Sequence, residues 1–337
     1  MTRRDSGPLT LHVTAEHWPL RTAFEISGQT IVTQDVIVVT LQQGEHVGRG
    51  EAAGVDYLND DIRSMLRQLE AARGLIEAGL THASLQTLFA AGGVLNALDC
   101  ALWELESRQV GCPVWQIAGL TPPHPLLTTY TVGAGESDAM AAGARDFAAA
   151  AAIKIKLTGA PNDAERVRAV RAARPDVWLG VDANQGFSRA HLQELMPVLV
   201  AARVQLIEQP FPVGREPRLS ELNSPIPIAA DESAQVTGDL ANLVTGFNVV
   251  NIKLDKCGGL TAGLQMASAA RQLGFEVMIG NMIGTSLAMA PAFLIGQSCQ
   301  IVDLDGPLLL VSDRHAAACY QRGYIDCDDA VWGSTAS

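Results

Sequence analysis

The sequence has few aromatic residues and no long apolar run. Aromatic residues make up 5% of the 337 residues and apolar residues 48%, so a large core must be built from smaller side chains. No stretch of about 18 consecutive apolar residues occurs, and we therefore expect no membrane-spanning helix. The start, Met1 to Thr10, is polar and has no apolar segment behind its two arginines, which argues against a secretory signal.

Cysteine spacings typical of metal or redox sites are also missing. The six cysteines contain no CxxC pair, and they do not form the dense framework of a small secreted domain. The formal net charge of −12 disfavours nonspecific binding to the phosphate backbone of nucleic acids. We expect a cytoplasmic protein with reduced thiols and a small-molecule substrate, and with no nucleic-acid or membrane partner. The sequence leaves a homo-oligomer open.

Two sequence patterns meet near residue 120. The first part has strand-like runs at Leu11–Val13 and Val36–Leu41 and helical periodicity at Leu95–Leu105, which indicate an α+β unit. A length of 337 residues suits such a unit beside a larger barrel. Residues from about 311 onward show neither pattern, and we expect them to pack back on the first domain.

Between these parts, short β-rich runs alternate with Ala-rich amphipathic segments. Eight such runs predict a parallel α/β barrel. They are Leu127–Val132, Ile153–Leu157, Val177–Val181, Val204–Ile207, Ile226–Ala229, Val249–Leu254, Glu276–Ile279 and Ile301–Leu304. An open doubly wound sheet is the alternative, but the GxGxxG sequence usual after its first strand is absent.

Charged residues recur at the downstream ends of these runs, where the strands of a barrel surround one pocket. Asp182, Glu208 and Asp231 follow three successive strands, and three adjacent anions repel one another unless a cation neutralises them. Oxygen ligands without His or Cys favour Mg²⁺ over Zn²⁺. The sequence therefore predicts a Mg²⁺ site formed by these three carboxylates.

Lysines lie on both sides of this triad. Lys154 and Lys156 are two residues apart on one strand face, and we expect their mutual repulsion to lower the pKa of one ammonium group. Lys256 follows the third carboxylate. An acid and a base on opposite faces of a carbon next to a metal-bound carboxylate predict racemisation or epimerisation. A Schiff-base lysine aldolase and a non-catalytic barrel are the alternatives from other classes.

Five segments resemble the muconate-lactonizing subgroup of the enolase superfamily. They are the KxK motif at Ile153–Lys156, the metal-ligand strands at Val181–Gln185, Ile207–Pro210 and Ala230–Ser233, and the second-lysine segment at Asn251–Gly259. The resemblance implies an α/β fold, a modified TIM barrel of the (β/α)₇β type, with an N-terminal α+β capping domain. Together with the changes of sequence pattern near residues 120 and 311, it predicts domains at residues 1–120 (cap), 121–310 (catalytic barrel) and 311–337 (C-terminal segment). It also implies Mg²⁺ as cofactor and Lys156 and Lys256 as catalytic residues.

Within this superfamily, Asp303 and Asp305 resemble the DxD motif that binds the substrate ammonium group in dipeptide epimerases. No histidine occurs between His191 and His315, so the Lys/His pair of mandelate-racemase-like members is missing, and Asn281 occupies the seventh strand end. The resemblance thus implies a dipeptide epimerase. N-acylamino acid racemase, o-succinylbenzoate synthase and muconate cycloisomerase remain alternatives from the same subgroup.

One position departs from the pattern of Ala-Glu epimerases. Those enzymes carry an arginine in the loop after the first strand, where this chain has Gly28 and Gln29. A neutral amide cannot form a charge-assisted bidentate contact, so we expect no strong preference for a C-terminal Glu unless Arg21 substitutes. The remaining expected site residues are Lys154, Gln29, Thr131 and Asn281 beside the substrate, and Lys253, Glu232 and Asn184 supporting the metal site.

Overall fold

The computed structural model describes residues 7–26, 29–215 and 219–334. The N-terminal part consists of β1 (Leu9–Ile26), β2 (Gln29–Gln43), β3 (His46–Ala52), α1 (Ile62–Glu77), α2 (His82–Leu88), α3 (Gly93–Val110) and α4 (Val114–Ile117). It continues with β4 (Leu126–Leu127), β5 (Thr129–Val132), α5 (Ser137–Asp146), β6 (Ala152–Lys156), α6 (Asp163–Ala173), β7 (Trp178–Asp182), α7 (Arg189–Ala201), β8 (Val204–Glu208), β9 (Ile228–Ala230) and α8 (Leu240–Leu243). The last elements are β10 (Val249–Ile252), α9 (Leu254–Cys257), α10 (Leu260–Gln272), β11 (Glu276–Ile279), α11 (Ser286–Gly296), β12 (Ile301–Val302), α12 (Gly306–Leu309), β13 (Cys319–Gln321) and β14 (Tyr324–Asp326).

The first three strands form an antiparallel sheet against which α3 packs. Two glycines of β3 permit this close packing. A Cβ added at Gly48 would lie 2.0 Å from the carbonyl oxygen of Ala101, and one at Gly50 would lie 2.0 Å from that of Ala97. Any larger residue at either position would push α3 away from the sheet.

Strands β5 to β12 form the parallel sheet that the repeat predicts. Neighbours in space are neighbours in sequence, and every pair in this sheet is parallel. Helices follow the strands except after β8, where the described residues form only a 3₁₀ turn, Leu219–Leu222. The modified TIM barrel with an N-terminal α+β cap is therefore confirmed.

The barrel closes between β5 and β12 through side chains. Within the described residues, the strand ladder joins neither of these two strands to the other. Instead, the backbone N–H of Leu304 donates to the hydroxyl of Thr128 at 2.9 Å, and that of Thr131 donates to Asp305 Oδ2 at 2.6 Å. A carboxylate and a hydroxyl thus accept bonds that carbonyl oxygens accept elsewhere in the sheet.

The C-terminal segment contacts both preceding parts. Its hairpin β13–β14 pairs with β4, while Trp332 Nε1 donates to the carbonyl oxygen of Arg49 in the cap at 3.0 Å. The division at residues 120 and 310 stays a prediction. All six cysteines are free, and no described helix is long and apolar enough to span a membrane.

Candidate metal centre and active site

Three strand ends bring the predicted carboxylates together. Asp182 and Glu208 are the last residues of β7 and β8 and are register partners, while Asp231 directly follows β9. Their side chains are buried, and one oxygen from each lies within 4.8 Å of the others. The structure thus places the triad as its spacing predicts.

The charges of the triad interact strongly. Burial and the neighbouring Asp182 raise the pKa of Glu208 to about 7. Burial would also raise the pKa of Asp231, but Lys253 and Lys256 outweigh it and hold that pKa well below its usual range. Burial and repulsion thus outweigh the opposing effect of Lys154 at Glu208, and a bound cation would favour its charged form.

Lys154 and Lys156 point into the same site from β6. Lys156 Nζ lies 2.6 Å from Asp182 Oδ2, and Lys154 Nζ lies 3.0 Å from Glu208 Oε2 while also contacting Asp303. Burial favours the neutral amine of Lys154, but the surrounding carboxylates outweigh it and hold its pKa well above the ordinary value. The predicted lowering of a lysine pKa by repulsion does not hold for Lys154, because anions surround it.

Lys253 and Lys256 approach Asp231 from the other side. Lys253 Nζ lies 2.6 Å from Asp231 Oδ2, and Lys256 Nζ lies 2.6 Å from Oδ1. Strand β10 ends at Ile252, so Lys256 lies one turn beyond it in α9 rather than at the strand end that the repeat predicts. Gly258 ends that turn with a φ of 96°, and a Cβ there would lie 2.5 Å from Leu95 of the cap.

The two aspartates after β12 have different surroundings. Asp303 accepts hydrogen bonds from Lys154 Nζ and the Thr129 hydroxyl. Burial opposes ionisation of Asp303, but Lys154 outweighs it and lowers the pKa of that carboxyl. Asp305 accepts from the backbone of Thr131, and burial together with Asp303 raises its pKa to about 6. Asp303 thus has a cation partner within the protein, whereas Asp305 is bound by a neutral residue.

A cavity of about 390 Å³ connects these groups, a size that suits a small molecule. Ten predicted site residues line it: Thr131, Lys154, Lys156, Asn184, Asp231, Glu232, Lys253, Asn281, Asp303 and Asp305. The remaining three charged groups, Asp182, Glu208 and Lys256, lie beneath this lining and contact it. The structure therefore brings together thirteen of the predicted residues, while their individual roles stay predictions.

Of the three residues considered at the position of the missing arginine, only Arg21 has a described side chain. Gly28 and the side chain of Gln29 lie outside the part of the chain that the structure describes. Arg21 donates through Nε to the carbonyl oxygen of Leu308 at 3.2 Å, is exposed, and does not line the cavity. Its placement gives no support to Arg21 as a substitute for the loop arginine.

The outer part of the cavity contains residues that the sequence analysis missed. They are Phe24, Ile31, Gln34, Tyr57, Met282, Ile283 and Leu309. Phe24 and Ile31 are adjacent across the β1–β2 hairpin and pack with Leu309 and Ile283 of the barrel. Among the residues of the cap whose side chains the structure describes, every one that lines the cavity is uncharged. These positions do not follow the spacing of the barrel strands. The only sequence signal near some of them was the predicted strand pair of the cap, and it did not show that the hairpin reaches the barrel.

Both parts of the chain match described protein families. Residues 9–119 match the mandelate racemase / muconate lactonizing enzyme N-terminal domain, and residues 139–331 match the enolase C-terminal domain-like family. The chain belongs to the enolase superfamily. The resemblance that the motifs indicate is therefore confirmed.

Similar members of the superfamily are isomerases acting on amino-acid derivatives. The L-Ala-D/L-Glu epimerase of Escherichia coli K12 is 36% identical over 94% of this chain and 99% of that protein. The N-acetyl-D-glutamate racemase of a Pseudoalteromonas species is also 36% identical, over 88% of this chain and 95% of that protein. The chain thus has homologues with a free amino group in the named substrate and with an acylated one.

Solved structures point to the same group. An enolase family member from Agrobacterium tumefaciens with homology to dipeptide epimerases, with bound sodium and L-Ala-L-Glu, has a TM-score of 0.94 and 38% identity over 97% of this chain and 100% of that one. The dipeptide epimerase of Methylococcus capsulatus, complexed with Mg and L-Arg-D-Lys, has a TM-score of 0.86 and 26% identity over 96% and 98%.

Proposed function

We propose that this protein is a Mg²⁺-dependent dipeptide epimerase, which inverts the carbon next to the substrate carboxylate. The observation that carries the proposal is that one cavity is lined by Asp231 of the carboxylate triad, with Asp182 and Glu208 directly beneath it, and by Asp305, which accepts a hydrogen bond from the backbone of Thr131. A dipeptide has a carboxylate at one end and an ammonium group at the other, so it matches both sites. The relatives named as dipeptide epimerases support the same substrate class.

The donor set of the triad fits Mg²⁺. The cluster found in the described residues consists of carboxylates alone, which are the ligands that a hard cation prefers. Ligand oxygens around Mg²⁺ lie about 2.0–2.1 Å from the ion and hence roughly 3–4 Å apart, so small side-chain rotations bring the three carboxylates into range. Asp182, Glu208 and Asp231 would hold the ion. The chemistry supplied there is stabilisation of the negative charge that develops on the substrate carboxylate.

Lys156 and Lys256 provide the proton transfers. Lys156 comes from the strand before the triad and Lys256 from the segment after it, so they approach the substrate carbon from opposite sides. One lysine, as the free amine, takes the α-proton and becomes an ammonium group. The other ammonium group donates its proton to the opposite face of the carbon, and the two lysines have then exchanged protonation states. Hydrogen bonds to Asp182 and Asp231 orient the two nitrogens.

The uncharged outer cavity sets the side-chain preference. No cation from the described part of the cap lines it, and Phe24, Ile31 and Tyr57 offer apolar surface instead. The side chain of a C-terminal Glu would therefore lose its hydration without gaining a charged partner, which is unfavourable. We expect dipeptides with neutral C-terminal side chains to compete well with Ala-Glu.

Racemisation of N-acylated amino acids is the second candidate, favoured by the similarity to N-acetyl-D-glutamate racemase. An acylated substrate would leave Asp305 without an ammonium partner, which is why we place this activity second. The substrates of o-succinylbenzoate synthase and muconate cycloisomerase also lack an ammonium group. A Schiff-base aldolase would have no use for the carboxylate triad.

A dipeptide library tests the proposal. The enzyme is incubated with the library in D₂O and Mg²⁺, and mass spectrometry detects deuterium at the α-carbon. We expect incorporation into dipeptides with a free N-terminus and loss of incorporation with a chelator. Incorporation that survives chelation would contradict the role of the metal, and preferential labelling of N-acetylated substrates would favour the racemase.

The cellular setting follows from composition alone. We propose a cytoplasmic protein, because the net charge is −12 and the six cysteines are free. Assembly into a homo-oligomer stays a prediction that size measurement in solution would decide.

A further inference from the structure

The two lysines proposed for proton transfer are held by different parts of the molecule. Lys156 is the last residue of β6, which pairs with β5 on one side and β7 on the other, and its register partner is Asp182. Among the described residues, no hydrogen bond joins β6 to the cap. The backbone of Lys156 is therefore fixed by hydrogen bonds within the barrel sheet.

Lys256 has no strand around it. β10 ends at Ile252, and Lys256 lies in the single turn α9, which is followed by Gly258 and Gly259 with φ values of 96° and 98°. Its Nζ lies 2.6 Å from Asp231 Oδ1, but its backbone lies outside the barrel sheet. A single helical turn is not stable by itself, so another part of the protein has to hold this lysine in place.

The cap holds the first half of this turn. Asp255, the residue before Lys256, is buried, and its Oδ1 accepts hydrogen bonds from two backbone N–H groups of the cap. The donors are Ala53 and Gly54, each at 2.9 Å. One carboxylate oxygen thus connects the segment that follows β3 to the residue next to the lysine.

Helix α3 of the cap contacts the end of the same turn. A Cβ added at Gly258 would lie 2.5 Å from the side chain of Leu95, and one at Gly259 would lie 2.7 Å from Asp99 Oδ2. Asp99 Oδ2 also accepts a hydrogen bond from the backbone N–H of Thr261 at 2.9 Å. The turn that carries the lysine is therefore held by the cap at both ends.

The surroundings of Asp255 indicate a role beyond filling space. Lys253 and Lys256, which flank it at short distance in the sequence, both pair with Asp231. Burial raises the pKa of Asp255 to about 7, and the two N–H groups of the cap oppose this rise. A buried carboxylate is costly unless hydrogen bonds compensate it, and here the compensating donors belong to the cap.

We propose that Asp255 is a positioning residue, which acts through Lys256 by fastening the turn that carries it to the cap. This inference rests on the proposed function, in which Lys256 transfers a proton. Ala53 and Gly54 also line the cavity, so cap residues that border the substrate hold this lysine as well. One proton transfer therefore depends on docking of the cap, whereas the transfer by Lys156 depends on the barrel.

Replacement of the α-proton in D₂O tests this difference between the lysines. For each of the two substrate epimers, proton NMR gives the initial rate at which deuterium replaces the α-proton. Each epimer presents its α-proton to one lysine, so Lys156→Ala and Lys256→Ala show which epimer each lysine serves. The quantity measured for every other variant is the ratio of the two rates.

Asp255→Ala should slow the epimer served by Lys256 about tenfold more than the other epimer, because a small misplacement of a reacting group has a large effect on rate. Asp255→Asn keeps an acceptor oxygen and should return the ratio to within roughly threefold of the wild type. A merely structural loss would slow both epimers alike. An unchanged ratio in Asp255→Ala, or selective slowing of the epimer served by Lys156, would overturn the proposal.

Glu51→Ala is the matched control. Glu51 is also a buried carboxylate of the cap, and its Oε1 accepts a hydrogen bond from the backbone N–H of Thr285 in the barrel at 2.7 Å. This contact does not involve the turn with Lys256, so Glu51→Ala should leave the ratio within roughly threefold of the wild type. A shift as large as that in Asp255→Ala would show that any loosening of the cap is sufficient, and it would overturn the role of Asp255.

Hydrogen exchange of the backbone amides tests the attachment without any substrate. Mass spectrometry should show that segments 53–54 and 254–257 exchange about tenfold faster in Asp255→Ala than in the wild type, but not in Glu51→Ala. Unchanged exchange in Asp255→Ala would overturn the proposal. Should Asp255→Ala not fold, Asp255→Ser, whose shorter side chain cannot reach both N–H groups, replaces it in both measurements with the same expected and contrary results.

Absence of wild-type turnover on every dipeptide would overturn the proposed function, and with it the role of Asp255 in proton transfer. The amide exchange would still decide whether Asp255 fastens the turn to the cap. Failure of the proposed function and failure of the attachment are therefore distinguishable.

Discussion

The floor and the rim of the cavity are built differently. We call the charged groups at the barrel strand ends, or within a few residues beyond them, the floor: Lys154, Lys156, Asp182, Glu208, Asp231, Lys253, Lys256, Asp303 and Asp305. We call the uncharged outer residues the rim: Phe24, Ile31, Gln34, Tyr57, Met282, Ile283 and Leu309. Every floor residue is buried, is ion-paired or hydrogen-bonded, and belongs to the barrel. The rim is uncharged, and four of its residues belong to the cap: Phe24, Ile31, Gln34 and Tyr57.

This difference separates chemistry from selection. Floor side chains lie on consecutive parallel strands or on the few residues that follow them, so their mutual distances depend mainly on the barrel core. Rim residues meet only because the β1–β2 hairpin reaches the barrel, where Leu20 bridges to Leu310. Changes in the rim should therefore alter which dipeptide is used, and changes in the floor should alter whether any is used.

The largest effect should come from the floor lysines. Lys156→Ala and Lys256→Ala should each lower the rate of epimerisation by about 10²–10⁴-fold, the contribution usual for a positioned acid or base. One-sided exchange of the α-proton for deuterium should survive for one stereoisomer, because the other lysine remains. Proton NMR in D₂O separates exchange from inversion.

Arg189→Ala provides the matched control for removal of a cation. Arg189 forms a partly exposed ion pair with Glu221, and neither residue is among those that line the cavity, so loss of Arg189 should leave the rate unchanged. Normal turnover in both lysine variants would contradict the assignment of the floor as the acid–base site.

An intermediate effect should come from a charge introduced into the rim. Gln34→Arg should raise the preference for Ala-Glu over Ala-Leu by roughly tenfold, since a partly exposed charge-assisted contact has a modest value. The ratio of the two kcat/KM values measures this preference.

Gln42→Arg adds the same charge on the same strand, outside the cavity, and should not change the ratio. If both variants respond equally, the rim does not select the side chain and the contrast with the floor fails.

The smallest effect concerns the pH dependence of Asp305, whose pKa is raised to about 6. Below this pH the carboxyl is neutral and cannot pair with an ammonium group, while above it the carboxylate is present. In the slow variant Lys156→Ala with saturating Mg²⁺, dipeptide affinity should fall by up to about tenfold per pH unit as the pH drops below about 6. Lys156→Ala combined with Asp305→Asn should lack this dependence. Calorimetry between pH 5 and pH 8 measures the affinity of both variants. A pH dependence that persists in the double variant would contradict the assignment to Asp305.

Most of the floor could be predicted because barrel strands impose a period on the chain. Asp182, Glu208 and Asp231 lie at the ends of successive strands, so their regular spacing in the sequence places them close together in the barrel. Lys256 shows the limit of this argument, since it reaches the site through a helical turn beyond its strand. The contact between Lys154 and Asp303 could also not be predicted, because the two residues meet only when the first and last strands of the barrel come together.

The rim could not be predicted in the same way. Tyr57 lies in a short 3₁₀ turn of the cap, and Met282 and Ile283 lie in a loop after β11. None of these residues follows the regular spacing of the barrel strands, because their proximity to the site depends on how the cap docks on the barrel. Tertiary packing of this kind leaves no local pattern in the sequence.

The most direct test of the floor is a crystal structure with Mg²⁺ and a free dipeptide bound to Lys156→Ala. One ion should lie about 2.0–2.1 Å from oxygens of Asp182, Glu208 and Asp231 and should also bind the substrate carboxylate. Lys256 Nζ should face the α-carbon from the side opposite the truncated side chain on β6, and the substrate ammonium group should contact Asp305. An ion bound elsewhere, or Lys256 on the same face of the carbon as that truncated side chain, would contradict the account.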